Sequence, residues 1–403
     1  MMEMLQGVRV LDLTAVLMGP YASQTLGDYG ADIIKVEAPG GDVTRQIGPV
    51  LNEGMGPVFL NANRNKRSIA LDLKHPDGRE ALLRLAKTAD VVLYNIRPQA
   101  MERLGLGYEA FQAENPGIIY AGVFGFGQDG PYARKPAYDD LIQGASTIAS
   151  LMTVSGSDRP RYVPNAMADR TVGLFAVTAI LAALHQRSRT GKGTRLDIPM
   201  FETMVSFMMG DHMGGLTFDP PLDKGGYGRQ LSPYRRPFQT SDGYICALIY
   251  TDKQWQSYAR ATGQEQAMSA DPRLQTIASR LAHIDDIYAE LEAQFLDRST
   301  AEWTRLLTDA DIPTLPMHTL ETIFEDEHLA ALDFFPLIDH PTEGKLRAIR
   351  FPVKSAGAEL PDTPAPTYGQ HSAEILREAG YSDEEIAALT AAGAAGPKPA
   401  QRT

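Results

Sequence analysis

The strongest constraint on the fold is an alternation in the first third of the chain, where short β-branched runs are separated by amphipathic stretches of helical length. "VRVLDLT" (Val8–Thr14) reads as a strand, "YASQTLGDYG" as a helix ending at Gly30, and "ADIIKVE" (Ala31–Glu37) as the next strand. "SIALDLK" (Ser68–Lys74) predicts a third strand and "HPDGREALLRLAKTA" the helix after it, with Asp77 and Glu80 near its start. "DVVLYNI" and "GIIYAGVFGF" are two further strands flanking a helix around Met101 to Asn115. Parallel neighbours need a helical crossover, so this order predicts an α/β fold with a mostly parallel, doubly wound sheet and ligands at the carboxyl ends of its strands.

The remainder is organised differently. "HQRSRTGKGTRLDI" leads to another strand, and the Met-rich "MFETMVSFMMGDHMGG" after it reads as helical core filler without chemistry. The Gly/Pro-rich stretch from Asp219 to Pro237 marks a boundary, beyond which "YICALIY" and the segments from Trp255 to Leu307 predict a smaller α+β domain. "FFPLIDHPTEGKLRAIRFPVKSAG" predicts a β-rich return toward the first domain. The expected division is 1–218 for the N-terminal part of the large domain, 219–330 for the small domain with its linkers, and 331–403 for the return and a loose tail after Ala391.

Composition narrows the function classes. Among 403 residues, 38 Lys and Arg face 50 Asp and Glu, a formal charge of −12, so neither nucleic acid nor an anionic membrane is an expected partner and any polyanion must be met by a local cluster of cations. The single cysteine, Cys246, rules out an internal disulfide framework, and the eight scattered histidines have no zinc-ligand spacing, so no metal is expected. The apolar run Val172–Leu184 is too short to span a bilayer and no signal-type segment opens the chain; a cytoplasmic protein is the expectation.

Three segments carry candidate chemistry. "GFGQDG" (Gly125–Gly130) follows a strand, but Pro131 stands where a helix should open, so it reads as a glycine-rich strand-end loop and not a dinucleotide fingerprint. "NANRNKRSIALDLK" concentrates Arg64, Lys66, Arg67 and Lys74, and "YNIRPQAMERLG" adds Arg97 and Arg103. Alone each is a solvated edge; emerging together at strand ends they can converge on an anion such as phosphate. In "NAMADRTVGLFAVTAILAAL", Asp169 has two readings, the cap of a helix or a carboxylate partly withdrawn from water that acts as nucleophile or base. Neither a G-x-S-x-G elbow nor a P-loop occurs, which removes the usual support for a serine hydrolase or an NTP-driven ligase.

"GVRVLDLTAVLMGPYASQTLGDYGADIIKVEAPGGD", "NKRSIALDLK", "GFGQDGPYARKPAYDDLIQGAS", the Asp169 segment and "TGKGTRLDIPMFE" follow one another in an order that resembles the class III CoA-transferases, the family that also holds formyl-CoA transferase, carnitine CoA-transferase and the α-methylacyl-CoA racemases. The resemblance implies a large Rossmann-like domain with a mostly parallel sheet built from both chain ends, a smaller α+β domain, and an interlocked homodimer. It implies an enzyme, a transferase of sulfur-containing groups, that moves CoA between carboxylic acids through an aspartyl-CoA thioester on Asp169. Acyl-CoA and a free carboxylic acid are then its substrates, and no cofactor is permanently bound.

By the same resemblance Val16, Leu71, Lys74, Asn95, Arg97, Arg103 and Leu104 fall on or beside positions that line the CoA site, and Tyr138 on one near the pantetheine arm. Gly225, Gly226 and Gly228 resemble a shortened form of a glycine loop that closes over the active site. Leu17 replaces the glutamine of formyl-CoA transferases, and Ala38 and Pro136 replace basic CoA contacts of some members, with Lys135 the neighbouring substitute. Tyr138 stands where racemases carry a histidine, so the alternative of an acyl-CoA racemase or epimerase lacks one base; a non-catalytic CoA-binding protein is the other alternative. Surplus arginine at Arg45, Arg161, Arg229 and Arg235 offers partners for a second carboxylate, which points to a short dicarboxylyl-CoA donor such as succinyl-CoA.

Overall fold

The computed structural model describes residues 3–356 and 363–396. Six strands form one parallel sheet: β1 (Arg9–Leu13), β2 (Asp32–Glu37), β3 (Lys66–Ala70), β4 (Val91–Tyr94), β5 (Ile119–Phe124) and β6 (Thr194–Pro199), in the order β3-β2-β1-β4-β5-β6. Such strands are covered by helices on both faces and so read as continuous apolar runs; β4 and β5 are buried along their whole length. β1 pairs on one side with β2, Val10 opposite Ile33, and on the other with β4, Val10 opposite Val91. The strand order therefore reverses direction at β1 and β4, and a crevice opens there beyond their carboxyl ends.

Helix α1 (Met18–Asp28) follows β1 so closely that a Cβ on Gly19 would come within 2.3 Å of Thr14. The third strand runs over Lys66–Ala70 and not Ser68–Lys74, because Leu71, whose N–H makes a last bond to the Glu37 carbonyl at 2.9 Å, turns to bridge Ala395, and the Asp72 N–H donates to the Ala394 carbonyl at 2.9 Å. All six strands come from residues 9–199; the C-terminal end joins the unit through helices. Helices Ser372–Glu378 and Asp383–Ala391 bring Ile375, Leu376, Ile386 and Leu389 against Ile69, Leu71, Leu82 and Leu85. The expected loose tail after Ala391 is docked as far as it is described: Ala394 and Ala395 are buried and the Gly396 N–H donates to the Ala70 carbonyl at 2.9 Å. Residues 397–403 lie outside the described residues. The β-rich return is an antiparallel hairpin, Leu337–His340 with Gly344–Arg347.

Helix Met167–Thr190 has 24 residues, longer than the apolar run read from the sequence, and an 18-residue window within it has a mean hydropathy of 1.6, enough by length and composition to cross a membrane. It packs against α1, β5 and β6, as a core helix does.

The chain divides into two compact units. One comprises Met1–Ile142, Asn165–Met204 and His328–Thr403, as far as these are described, and the other Gln143–Pro164 and Val205–Glu327. Residues 143–164 and 205–218 thus group with the smaller unit, where a boundary at 219 was expected. Contacts within that unit explain this: helix Ile148–Val154 packs against the short helix Gly228–Leu231, and buried His212 accepts from the Gly226 N–H through its carbonyl at 2.8 Å. The smaller unit has a three-stranded antiparallel sheet (Phe238–Gln239, Tyr244–Ala247, Thr314–Pro316) and its own core, in which Phe238, Phe295 and Trp303 stack with ring centroids 4.4 Å apart in each successive pair.

Candidate active site

The crevice at the switch point holds a cavity of about 340 Å³. Its wall is made by Ala15, Val16 and Met18 after β1, Asn95, Ile96 and Arg97 after β4, the end of β5 through Gly125, the segment Lys135–Tyr138, and Asp169 with Met200. Every one of these residues belongs to the larger unit.

The turn after β1 is held by side chains and not by a backbone ladder. The Thr14 N–H donates to Asp12 at 3.0 Å, the Thr14 carbonyl accepts from Lys35 Nζ at 3.0 Å, and the Asn95 amide brackets Ala15, accepting from its N–H at 3.1 Å and donating to its carbonyl at 2.7 Å. The Val16 N–H donates to Asp42 Oδ1 at 3.2 Å. Val16 has φ of 73°, a left-handed conformation that costs a β-branched residue about 1–3 kcal/mol and persists only where the surroundings enforce it.

Asp169 sits in the first turn of helix Met167–Thr190 but is not its cap. Ala166 holds the N-cap position with no side-chain bond, and a second carboxylate closes the helix start, Asp139 Oδ1 accepting from the Asp169 N–H at 2.9 Å. The capping reading is thus corrected, and that N–H is already taken by Asp139. Burial, and then the neighbouring Asp139, push the Asp169 carboxyl up to about 7, a rise that Arg170 only partly offsets. A half-buried carboxyl whose acidity is displaced this far, on a cavity wall, is a more basic and more nucleophilic carboxylate than an exposed one.

The cations read from the sequence separate into two groups. Lys66 is fully enclosed, donating to Asp12 at 3.0 Å, to the Pro20 carbonyl at 2.9 Å and to Asn63 at 2.8 Å. Arg64 pairs with Asp28, and Arg67 with Asp32, Glu374 and Glu378, so these three do not converge on an external anion. Arg45 is 1% exposed, gripped by both oxygens of Glu37 at 2.7 and 2.8 Å and stacked 3.6 Å from the Phe59 ring centre, which removes it as a candidate for a substrate carboxylate. Arg97 and Lys135, by contrast, are exposed on the cavity and have no ion-pair partner among the described residues; Lys135 rests over the Tyr132 ring at 3.7 Å.

Four of the remaining candidates of the larger unit lie off the cavity. Leu71 is buried at the end of β3, Leu104 packs against the main core, and Lys74 and Arg103 are exposed. Asn95 lines the cavity with its amide spent on Ala15, while Tyr138 is 66% exposed at the rim. Arg161, Arg229, Arg235 and the three glycines belong to the smaller unit. There Arg229 donates to the Tyr288 hydroxyl at 3.0 Å, and Arg235 lines a second cavity of about 330 Å³ with Arg229 and Arg236. Gly225 and Gly226 have φ of 76° and 94°, and a Cβ on Gly225 would meet the His212 carbonyl at 2.8 Å, so glycine is required at this turn. Gly228 opens the short helix that follows.

Sequence reading missed Met200, set aside as core filler yet part of the wall, and the buried set Lys35, Asp42 and Glu37 beneath it. The one available signal was a lysine inside the apolar strand "ADIIKVE", which has to find a partner when buried.

Comparison with known proteins accords with this geometry. The family model described as CoA-transferase family III matches residues 5–372. The succinyl-CoA:glutarate CoA-transferase of Mus musculus is 34% identical, over 95% of this chain and 88% of its own length. The formyl-CoA:oxalate CoA-transferase of an Escherichia coli strain is 31% identical over 96% and 98%. The crystal structure of a CaiB/BaiF family protein from Brucella suis superposes with a TM-score of 0.77 at 34% identity, covering 93% of this chain and 99% of that one. With the family model spanning most of its length and the switch-point cavity in place, this chain belongs to CoA-transferase family III and is a CoA-transferase, acting on CoA thioesters and carboxylates.

Proposed function

We propose that the enzyme transfers CoA through covalent intermediates on Asp169, with succinyl-CoA or a similar short dicarboxylyl-CoA as donor. The observation that carries the mechanism is the placement of a carboxyl raised to about 7 on the wall of the switch-point cavity. An Asp169 oxygen attacks the thioester carbonyl, the C–S bond breaks, and a mixed anhydride and CoA thiolate result. The thiolate attacks the aspartyl carbonyl, releasing the donor's carboxylate and leaving CoA as a thioester on Asp169. The acceptor carboxylate attacks that thioester, the thiolate leaves again, and its attack on the acceptor's acyl carbon yields the new acyl-CoA and restores Asp169. Each step exchanges bonds of similar energy, which is the advantage of dividing one transfer into covalent stages. The attacking form is the carboxylate, so kcat/KM rises as pH increases through about 7.

Arg97 and Lys135 supply charge for the diphosphate of CoA at the cavity, and the exposed cations Lys74 and Arg103 serve the 3′-phosphate. Val16 and Tyr138 flank the pantetheine arm. The dicarboxylate donor is favoured by the relatives named for succinyl-CoA and glutarate, and Arg161, Arg229 and Arg235 remain the candidates for the second carboxylate. The loop of Gly225, Gly226 and Gly228 is assigned to covering the bound ester. A cytoplasmic homodimer is part of the same reading; Leu174 and Phe175, on helix Met167–Thr190, are exposed apolar side chains of the kind a partner subunit covers. The described residues lining the cavity include no histidine, so the racemase alternative gains no second base.

The test is to incubate the protein with succinyl-CoA alone and to search for CoA on Asp169 by intact mass and by hydroxylamine trapping. Label is expected in the native protein and not in Asp169→Ala, whose transfer rate falls by about 10³-fold or more. No label across several acyl-CoA donors would overturn the assignment.

A further inference from the structure

Five successive backbone groups, from the Thr14 N–H to the Val16 N–H, are taken by side chains of Asp12, Lys35, Asn95 and Asp42. None of the five is left for a ligand, and the turn instead presents the Val16 side chain to the cavity. Asp42 is the hub: one oxygen accepts from the Val16 and Thr44 N–H groups at 3.2 and 3.0 Å and from the Thr44 hydroxyl at 2.8 Å, while the other accepts from Lys35 Nζ at 3.0 Å. Lys35 in turn reaches the Thr14 carbonyl, so one buried ion pair holds both ends of the turn. A counterion for Lys35 alone would need no bond to Val16. Left-handed backbone is held most readily by glycine, and this turn holds a β-branched residue there, on a cavity wall.

We propose that Lys35, Asp42 and Asn95 are positioning residues that lock Val16 in its left-handed conformation and thereby set the wall against which the acyl-CoA substrate binds. The proposal rests on the reading of the switch-point cavity as the acyl-CoA site. It predicts that loosening the clamp weakens substrate binding while the chemistry on Asp169 proceeds, and that the clamp becomes dispensable once residue 16 can adopt positive φ unaided.

A double-mutant cycle tests this. Asp42→Asn keeps an oxygen for Val16 but sets an amide nitrogen against Lys35; it should raise KM for the acyl-CoA donor about tenfold and leave kcat within about twofold. On a Val16→Gly background the same change should move KM by less than about twofold, because glycine needs no clamp. Equal effects on the two backgrounds, or KM and kcat changing together, would overturn the proposal. Should Asp42→Asn fail to fold, Asn95→Ser releases Ala15 without disturbing a buried charge, and the same cycle with the same outcomes applies. Equilibrium binding of CoA separates the two claims: native protein that binds CoA but forms no aspartyl adduct overturns the covalent mechanism and leaves the cycle readable through Kd, whereas native protein that binds no CoA overturns both.

Discussion

Asp12 and Asp169 belong to the same unit, and both are withdrawn from water, yet they end at opposite acidities. Asp12 lies in the ionic network under β1. Burial alone would raise its carboxyl, but Lys66 and Lys35, with the hydroxyls of Ser23 and Thr14, outweigh it and bring the value down to about 2. Lys66 is pushed down to about 8, by burial first and also by Lys35, and still carries its proton at neutral pH. Asp169 has burial without a buried cation, and Asp139 beside it adds a like charge, so its carboxyl rises to about 7. Burial sets the scale of both shifts, and the charge of the neighbour decides the sign. The network around β1 holds its charges in mutual pairs, and the cavity wall holds a carboxyl that has no such partner cation among the described residues and is raised to about 7.

Substitutions at these two places should have effects of opposite sign. Asp12→Ala strands Lys66 without its counterion in the interior, and a loss of about 3–5 kcal/mol of stability is expected by denaturant titration. The stability Asp12 contributes is complete above its ordinary value of 3.8 and disappears as pH falls through about 2. Asp169→Asn should stabilise the protein, by about 1–2 kcal/mol at pH 8 once solvent screening of a half-buried group is allowed for. The raised carboxyl costs nothing well below 3.8, progressively more as pH rises from 3.8 to about 7, and a constant amount above that, so the gain should nearly vanish at pH 4. A thermal melt that shows Asp169→Asn less stable than the native chain at pH 8 would break the contrast. The smallest effect belongs to Asp139→Asn, which keeps an oxygen for the Asp169 N–H and removes the like charge. The acid limb of kcat/KM should move below about 7, by less than burial itself contributes. An unmoved limb would mean that burial alone sets the acidity of Asp169.

The alternation of strands and helices was legible because each strand of a parallel sheet is a short apolar run bounded by turn residues, and "VRVLDLT" and "ADIIKVE" show this without help from the rest of the chain. The bridge that ends β3 at Ala70 was not, since its partner Ala395 lies more than three hundred positions away. The cations failed for the same reason. Arg67 finds Glu378 across 311 positions and Lys66 finds Asp12 across 54, so a cluster that reads as an anion site is a set of strand-end charges already neutralised by carboxylates from elsewhere. Arg45 shows that even a short separation misleads: Glu37 is only 8 residues earlier, but nothing local says that the turn between them folds the guanidinium back into the interior. Asp169 was read as a carboxylate partly withdrawn from water and is half-buried on the cavity wall, while its capping reading gave way because Asp139, 30 residues upstream, does that work. Local sequence carries element type; which charges remain free at the site depends on pairings that only the closed fold creates.

The larger unit is discontinuous, and this bears on the order in which the chain matures on the ribosome. Residues 205–327 of the smaller unit form one nearly continuous stretch and can collapse as they emerge. The flank of the larger unit at Ile69, Leu71, Leu82 and Leu85 is finished only by Ile375, Leu376, Ile386 and Leu389, so it stays uncovered through most of translation. Contacts of such long sequence separation close slowly. The nascent enzyme therefore passes through a stage in which its larger unit waits, with an apolar flank open to chaperones and to aggregation, for helices Ser372–Glu378 and Asp383–Ala391 to arrive.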